Sequence, residues 1–158
     1  MKIERTHDMQ LVARIMGHPA IWPHIHEDGL EAPAPVDHEA LFWMLVSEDD
    51  APAGMFLVHA RSAICYEMHT MILPEYFGAK ASMAAQMLLA WAFRELGCKK
   101  MVTSVPAYNR AADRFARANG MKEEGTNRAS FLRHGELIDQ INMGITLKEW
   151  ESCQQQQS

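Results

Sequence analysis

Polar and apolar residues change their period several times along this chain, and each change marks an element. Met1 to Arg5 is short and mixed, which reads as an edge strand. Thr6-His7-Asp8 supplies cap chemistry for a helix over 9–16, where Leu11, Val12, Ile15 and Met16 recur at helical spacing. Gly17 stops that helix and Pro19 lies just beyond. From His18 to Asp37 four prolines (Pro19, Pro23, Pro33 and Pro35) break every period, predicting a long loop with a helical turn near Ile21-Trp22. Three apolar runs follow at 41–47, 53–60 and 64–73, separated only by short turns, so they form an antiparallel meander.

From Gly78 the texture is helical. Residues 78–96 hold no proline and carry Met83, Met87, Leu88, Trp91 and Ala92 at spacings of three and four, the expected core stripe, closed by Gly97. Lys100 to Val105 reads as a buried strand. A second helix over 108–119 is expected to bury Ala111, Ala112, Phe115 and Ala118 and to leave Arg110, Arg114 and Arg117 in solvent. Two last strands, 121–133 and 135–147, meet at His134-Gly135. A strand–helix–strand unit forces one right-handed parallel crossover into an otherwise antiparallel arrangement. The expected class is α/β (α+β): a mixed, mostly antiparallel sheet with helices on both faces.

The 158-residue length suits one domain over 1–150, with the Gln-rich stretch 151–158 read as a disordered tail. A net charge of -5 argues against a nucleic-acid partner. No apolar run approaches the roughly 18 residues that span a bilayer, so no membrane partner is expected. The charged start Met1-Lys2-Ile3-Glu4-Arg5 and three cysteines without a paired spacing point to a cytoplasmic protein. Eight histidines raise the question of a metal. His24-x-His26 has no cysteine or carboxylate pattern to complete it, so no metal site is expected.

Two motifs carry chemistry. Leu73-Pro74-Glu75-Tyr76-Phe77-Gly78-Ala79-Lys80 is a strand-to-helix junction, and Asn109-Arg110-Ala111-Ala112, continuing to Gly120-Met121, opens and closes the next helix. Together they resemble the GNAT superfamily of N-acetyltransferases over about residues 63–147, closest to phage and prophage acetyltransferase-like, head-assembly-labelled proteins. A helix N-terminus presents unpaired N–H groups and positive partial charge, and a glycine lets a pyrophosphate approach. The resemblance implies acetyl-CoA as cofactor, held by Phe77, Gly78, Ala79, Lys80, Ala81 and Ser82. Its pantetheine arm would run beside Met71 and Ile72 and touch Asn109. The sequence departs from the family in having one glycine in this loop, and Ala116 stands where many members have Tyr.

Amine acetylation needs a base, a polarised carbonyl and a proton for the departing thiolate. Glu67 and His69, two apart on one strand, share a face, and either is the candidate base. A backbone N–H near Met71 or Ile72 would polarise the carbonyl, and Tyr108 is the candidate acid. Trp22, His24, His26 and Asp28 in the long loop are candidates for binding an amine-bearing small molecule or protein. The resemblance also allows a homodimer, or a phage assembly partner for a domain whose catalysis has been lost.

Overall fold

The computed structural model describes residues 1–157, with side-chain surroundings through Gln155. β1 (Lys2–Arg5) leads into α1 (Met9–Met16), whose start is set by Asp8. The Asp8 carboxylate accepts from the backbone N–H groups of Gln10 at 3.1 Å and Leu11 at 3.0 Å. The N–H of Gly17 closes the helix on the Ala13 carbonyl at 2.9 Å. α2 (Trp22–Ile25) is the helical turn expected in the loop. The meander follows as β2 (Leu41–Glu48), β3 (Ala51–Ala60) and β4 (Cys65–Ile72). Asp49 and Asp50, at φ 51° and 63°, make the turn between the first two, a conformation aspartate tolerates better than most residues.

α3 (Ala79–Arg94) then connects to β5 (Lys100–Pro106), which pairs in parallel with β4 through Cys65↔Lys100, Tyr66↔Met101 and Glu67↔Val102. After α4 (Arg110–Ala118), β6 (Lys122–Arg133) and β7 (Glu136–Thr146) form the terminal hairpin. His134 and Gly135 turn it, both at positive φ. The seven strands run in the order β1-β2-β3-β4-β5-β7-β6, and β4–β5 is the parallel step of the crossover. This is the mixed, mostly antiparallel sheet that the sequence predicts.

Two compact units divide the chain: Met1–His59 with Met68–Leu88, and Ala60–Glu67 with the chain from Leu89 onward. In the first, Val12, Ile15, Ile21, Trp43, Met55 and Met71 are buried together. Trp43 Nε1 donates to the Val36 carbonyl at 3.0 Å, which ties the proline-rich loop to β2. In the second, Met101, Met143 and Ile145 are buried on paired strands, and Trp150 is buried with its ring centroid 5.5 Å from that of Phe93.

Three expectations are corrected. Leu88 and Ala92 are buried as expected, but Met83 is 56% exposed, Met87 and Trp91 are half-buried, and α3 also buries Ala81, Ala84, Ala85, Leu89 and Phe93. The helix is apolar in two phases, so the period alone does not choose the buried one. In α4, Ala111 and Ala118 are exposed while Ala116 is buried. Asn119 is buried too, its Nδ2 donating to the Phe115 carbonyl at 2.9 Å, so a polar residue outside the apolar stripe closes the helix.

The third correction is the tail. α5 (Leu147–Gln157) occupies most of the stretch read as disordered, and only Ser158 lies outside the described residues. A reciprocal cap starts α5: Glu149 Oε2 accepts from the Thr146 N–H at 2.9 Å, and Thr146 Oγ1 accepts from the Glu149 N–H at 3.2 Å. This cap and the burial of Trp150 outweigh the low complexity of the glutamines. Lys122, then the Thr146 N–H, then its hydroxyl hold the Glu149 carboxyl down at about 2, against 4.5 ordinarily. A depressed folded-state pKa contributes stability above the ordinary value that is lost as pH falls through the folded one. Unfolding stability should therefore decline between about pH 4.5 and about 2. Glu149→Gln, followed by denaturant titration across that interval, should flatten the slope; an unchanged slope contradicts the assignment.

Candidate active site

Within the first unit, a strand end and a helix start are built side by side along 71–82. Met71 and Ile72, at the end of β4, are 3% and 5% exposed. Gly54 of β3 sits against them at φ 146°, where a Cβ would stand 2.5 Å from the Met71 carbonyl oxygen and 2.6 Å from Ile72 Cα. The Leu73 N–H donates to the Ala53 carbonyl at 3.0 Å. Backbone therefore meets backbone without an intervening side chain, and the edge at 71–72 is fixed in place.

A single 3-10 turn over Pro74–Tyr76 redirects the chain, and Gly78 at φ 78° delivers it into α3. A Cβ at Gly78 would meet nothing within 4 Å, so the glycine serves the turn and leaves open space before the helix. Phe77, Gly78, Ala79 and Lys80 are exposed, Ser82 is half-buried and Ala81 is buried. Ala81, expected among the cofactor contacts, can give that region only its backbone. The Lys80 ammonium lies 2.5 Å from Glu48 Oε2 and 5.4 Å from the Tyr76 ring centroid. The Glu48 hydrogen bond raises its pKa above the usual lysine value. An exposed helix start with open space before it fits the pyrophosphate of acetyl-CoA.

His69 on β4 meets His59 on β3, with Nε2 atoms 3.1 Å apart. The ring centroids are 5.3 Å apart and the planes 19° from parallel. The rings thus face each other through these nitrogens, one donating and the other accepting. In the long loop, Trp22 and His26 stack at 4.5 Å, and His26 Nδ1 donates to the Trp22 carbonyl. His24 and Asp28 are exposed.

In the second unit, the Glu67 side chain is 13% exposed and its Oε2 is 3.6 Å from Arg61 Nε. Asn109 caps α4, its Oδ1 accepting from the Ala112 N–H at 3.1 Å. The Tyr108 ring lies 4.0 Å under the Arg133 guanidinium. Arg117, read as a solvated residue, is clamped between Asp113 at 3.0 Å and Glu123 at 2.7 Å. Sequence reasoning missed three contributors: Gly54, Glu48 and His59. The only available signal for His59 is its place near the end of an apolar run, one short turn before the run that holds His69.

Residues 4–122 match the acetyltransferase (GNAT) domain. The chain belongs to the GNAT acetyltransferase family. That family's reaction is the acetyl-CoA-dependent N-acetylation of an amine, with acetyl-CoA as the cofactor. Among solved structures, a point mutant of the spermidine N-acetyltransferase SpeG from Vibrio cholerae superposes with a TM-score of 0.80 at 17% identity, covering 98% of this chain and 99% of that one. The same enzyme in complex with CoA and spermine gives 0.78 at 16% identity, covering 95% and 97%. A GNAT-family acetyltransferase from Bacillus anthracis gives 0.60 at 23% identity, covering 68% and 66%. At these identities the likeness carries the fold. No curated protein sequence matches the chain. Among the described residues, no helix is long and apolar enough to cross a membrane.

Proposed function

We propose that residues 1–150 work as one cytoplasmic domain that acetylates a primary amine on a small cationic molecule or a protein. The observation that carries this reading is the 71–82 junction: a fixed strand edge, then Gly78, then an open helix start. The likeness to an enzyme solved with CoA and spermine supports a small polyamine as the first acceptor to try. The acidic net charge of -5 supports a cationic acceptor.

Bound acetyl-CoA supplies an activated thioester. The exposed N–H groups at the start of α3, around Gly78, Ala79 and Lys80, bind its pyrophosphate, with Phe77 and Ser82 flanking them. The backbone edge at Met71 and Ile72 directs an N–H to the thioester carbonyl oxygen. Glu67 or His69 takes the ammonium proton, so that the amine nitrogen can form the new C–N bond as the C–S bond breaks. Tyr108 returns a proton to the departing thiolate, and Asn109 fixes the chain beside the pantetheine arm. Trp22, His24, His26 and Asp28 receive the acceptor, the exposed Asp28 by charge and the Trp22 ring by its face.

The test is thiol release from acetyl-CoA against spermidine, simple monoamines and lysine peptides, with mass spectrometry of the products. Saturable, amine-dependent release with an acetylated product supports the proposal. Acetyl-CoA binding with no release for any amine contradicts it. Two observations favour a second reading, a domain that keeps the fold for phage assembly. Glu48 occupies the Lys80 ammonium, and the buried Ala116 replaces the family's Tyr. Absence of acetyl-CoA binding would decide for that reading.

A further inference from the structure

Glu48 holds an anion's place at the start of α3. That helix begins at Ala79, has no acidic residue in its first turn, and carries Lys80 as its second residue. A cation there faces the positive end of the helix dipole, so the start lacks negative charge of its own. Glu48, the last residue of β2, supplies it from a distant strand. The β2–β3 register slips between Val46 and Ser47, a bulge of the kind that re-aims the residues beyond it. The Glu48 carboxylate accepts from the Lys80 ammonium at 2.5 Å. We propose that Glu48 is a displaceable stand-in for the cofactor's pyrophosphate, competing with that anion for Lys80 and so setting the affinity for acetyl-CoA. The inference rests on the reading of 71–82 as the cofactor site and adds the residue that tunes it.

Electrostatics favours the exchange. Glu48 is half-buried and Lys80 exposed, and an ion pair this open to water is weak. A pyrophosphate brings two negative charges against one, and it accepts from the first N–H groups of α3 as well as from Lys80. The Tyr76 ring, 5.4 Å from the ammonium, keeps Lys80 near the helix start when its partner changes. The released Glu48 carboxylate then repels the bound phosphates from the end of β2. Removing the charge of Glu48 therefore takes away both competition and repulsion, and binding strengthens. A purely structural ion pair gives the opposite sign, because its loss only loosens the helix start.

The test is calorimetric titration of acetyl-CoA into the full wild-type chain, Glu48→Gln, Lys80→Met, the double variant and Asp49→Asn, with circular dichroism to show each folded. Glu48→Gln is expected to tighten binding by about three- to tenfold, and most of that gain should vanish when Lys80 is Met. Asp49→Asn removes the same charge one residue away, and asparagine suits the backbone there at φ 51°. It should tighten binding by less than about twofold. Binding by the wild type that is equal or weaker in Glu48→Gln overturns the proposal and leaves the cofactor site standing. A gain of the same size without Lys80, or from Asp49→Asn, assigns the effect to the general field of the turn and overturns it too. No binding by any of these proteins overturns the cofactor reading and the proposal with it.

Discussion

Replacing Glu67 or His69 with glutamine is expected to lower kcat/KM for the amine by about 10²- to 10³-fold while leaving acetyl-CoA affinity within about twofold. Both residues sit on β4, and both differ from an ordinary exposed polar pair. Glu67 is mostly enclosed, its side chain 13% exposed, and its carboxylate lies 3.6 Å from Arg61 Nε. His69 is held by His59, and a protonated His69 can pass charge into that hydrogen bond at 3.1 Å. A glutamine has similar size and keeps hydrogen bonding but takes no proton, so the loss reads proton transfer rather than packing. Stopped assays with saturating acetyl-CoA, at a series of amine concentrations, separate kcat from KM. If both variants keep wild-type kcat/KM, neither residue is the base.

Gly54→Ala is expected to cost on the order of 3 kcal/mol of stability, and Gly78→Ala only about 1 kcal/mol. The two glycines both have positive φ, but they differ in what surrounds them. At Gly54 a Cβ would fall 2.5 Å from the Met71 carbonyl oxygen and 2.6 Å from Ile72 Cα, both backbone atoms of a buried strand. Backbone cannot rotate aside as a side chain can, so β3 and β4 must part or the strand must bend. At Gly78 the space is open and only the left-handed conformation is strained. Denaturant unfolding of the two variants measures both numbers together. An equal cost for the two would show that strain in φ, rather than contact between strands, sets the requirement for glycine at Gly54. Because the displaced atoms belong to Met71 and Ile72, Gly54→Ala should also weaken acetyl-CoA more than its effect on folding alone explains.

Element order was legible because this chain punctuates itself. Gly17, Asp49-Asp50, Gly78 and His134-Gly135 sit at element ends and adopt the conformations their types allow. The phase of helices was not legible. In α3 Met83 faces out while Ala81, Ala84, Ala85 and Ala92 are buried, and in α4 Ala111 and Ala118 are exposed while Ala116 is buried. The end of the chain was misjudged because composition was weighed over the cap: Thr146, Glu149 and Trp150 start a helix that the glutamines then only extend. In the candidate site, the junction residues 71–82 were legible from one strand end, one glycine and one helix. The partners Glu48 and His59 were not: Glu48 lies 32 residues before Lys80, and His59, although only 10 residues before His69, meets it through a strand register that the pattern of apolar residues does not state.

The measurement that tests the central claim most directly is calorimetric titration of acetyl-CoA into the wild-type chain and into Gly78→Glu. A glutamate at this position puts a carboxylate in the open space before α3, where the pyrophosphate is proposed to sit, and circular dichroism would confirm that the variant folds. The predicted result is saturable micromolar binding to the wild type and at least a hundredfold loss, about 2.7 kcal/mol, in the variant. No heat at millimolar acetyl-CoA, or equal affinity for the two proteins, would contradict the account.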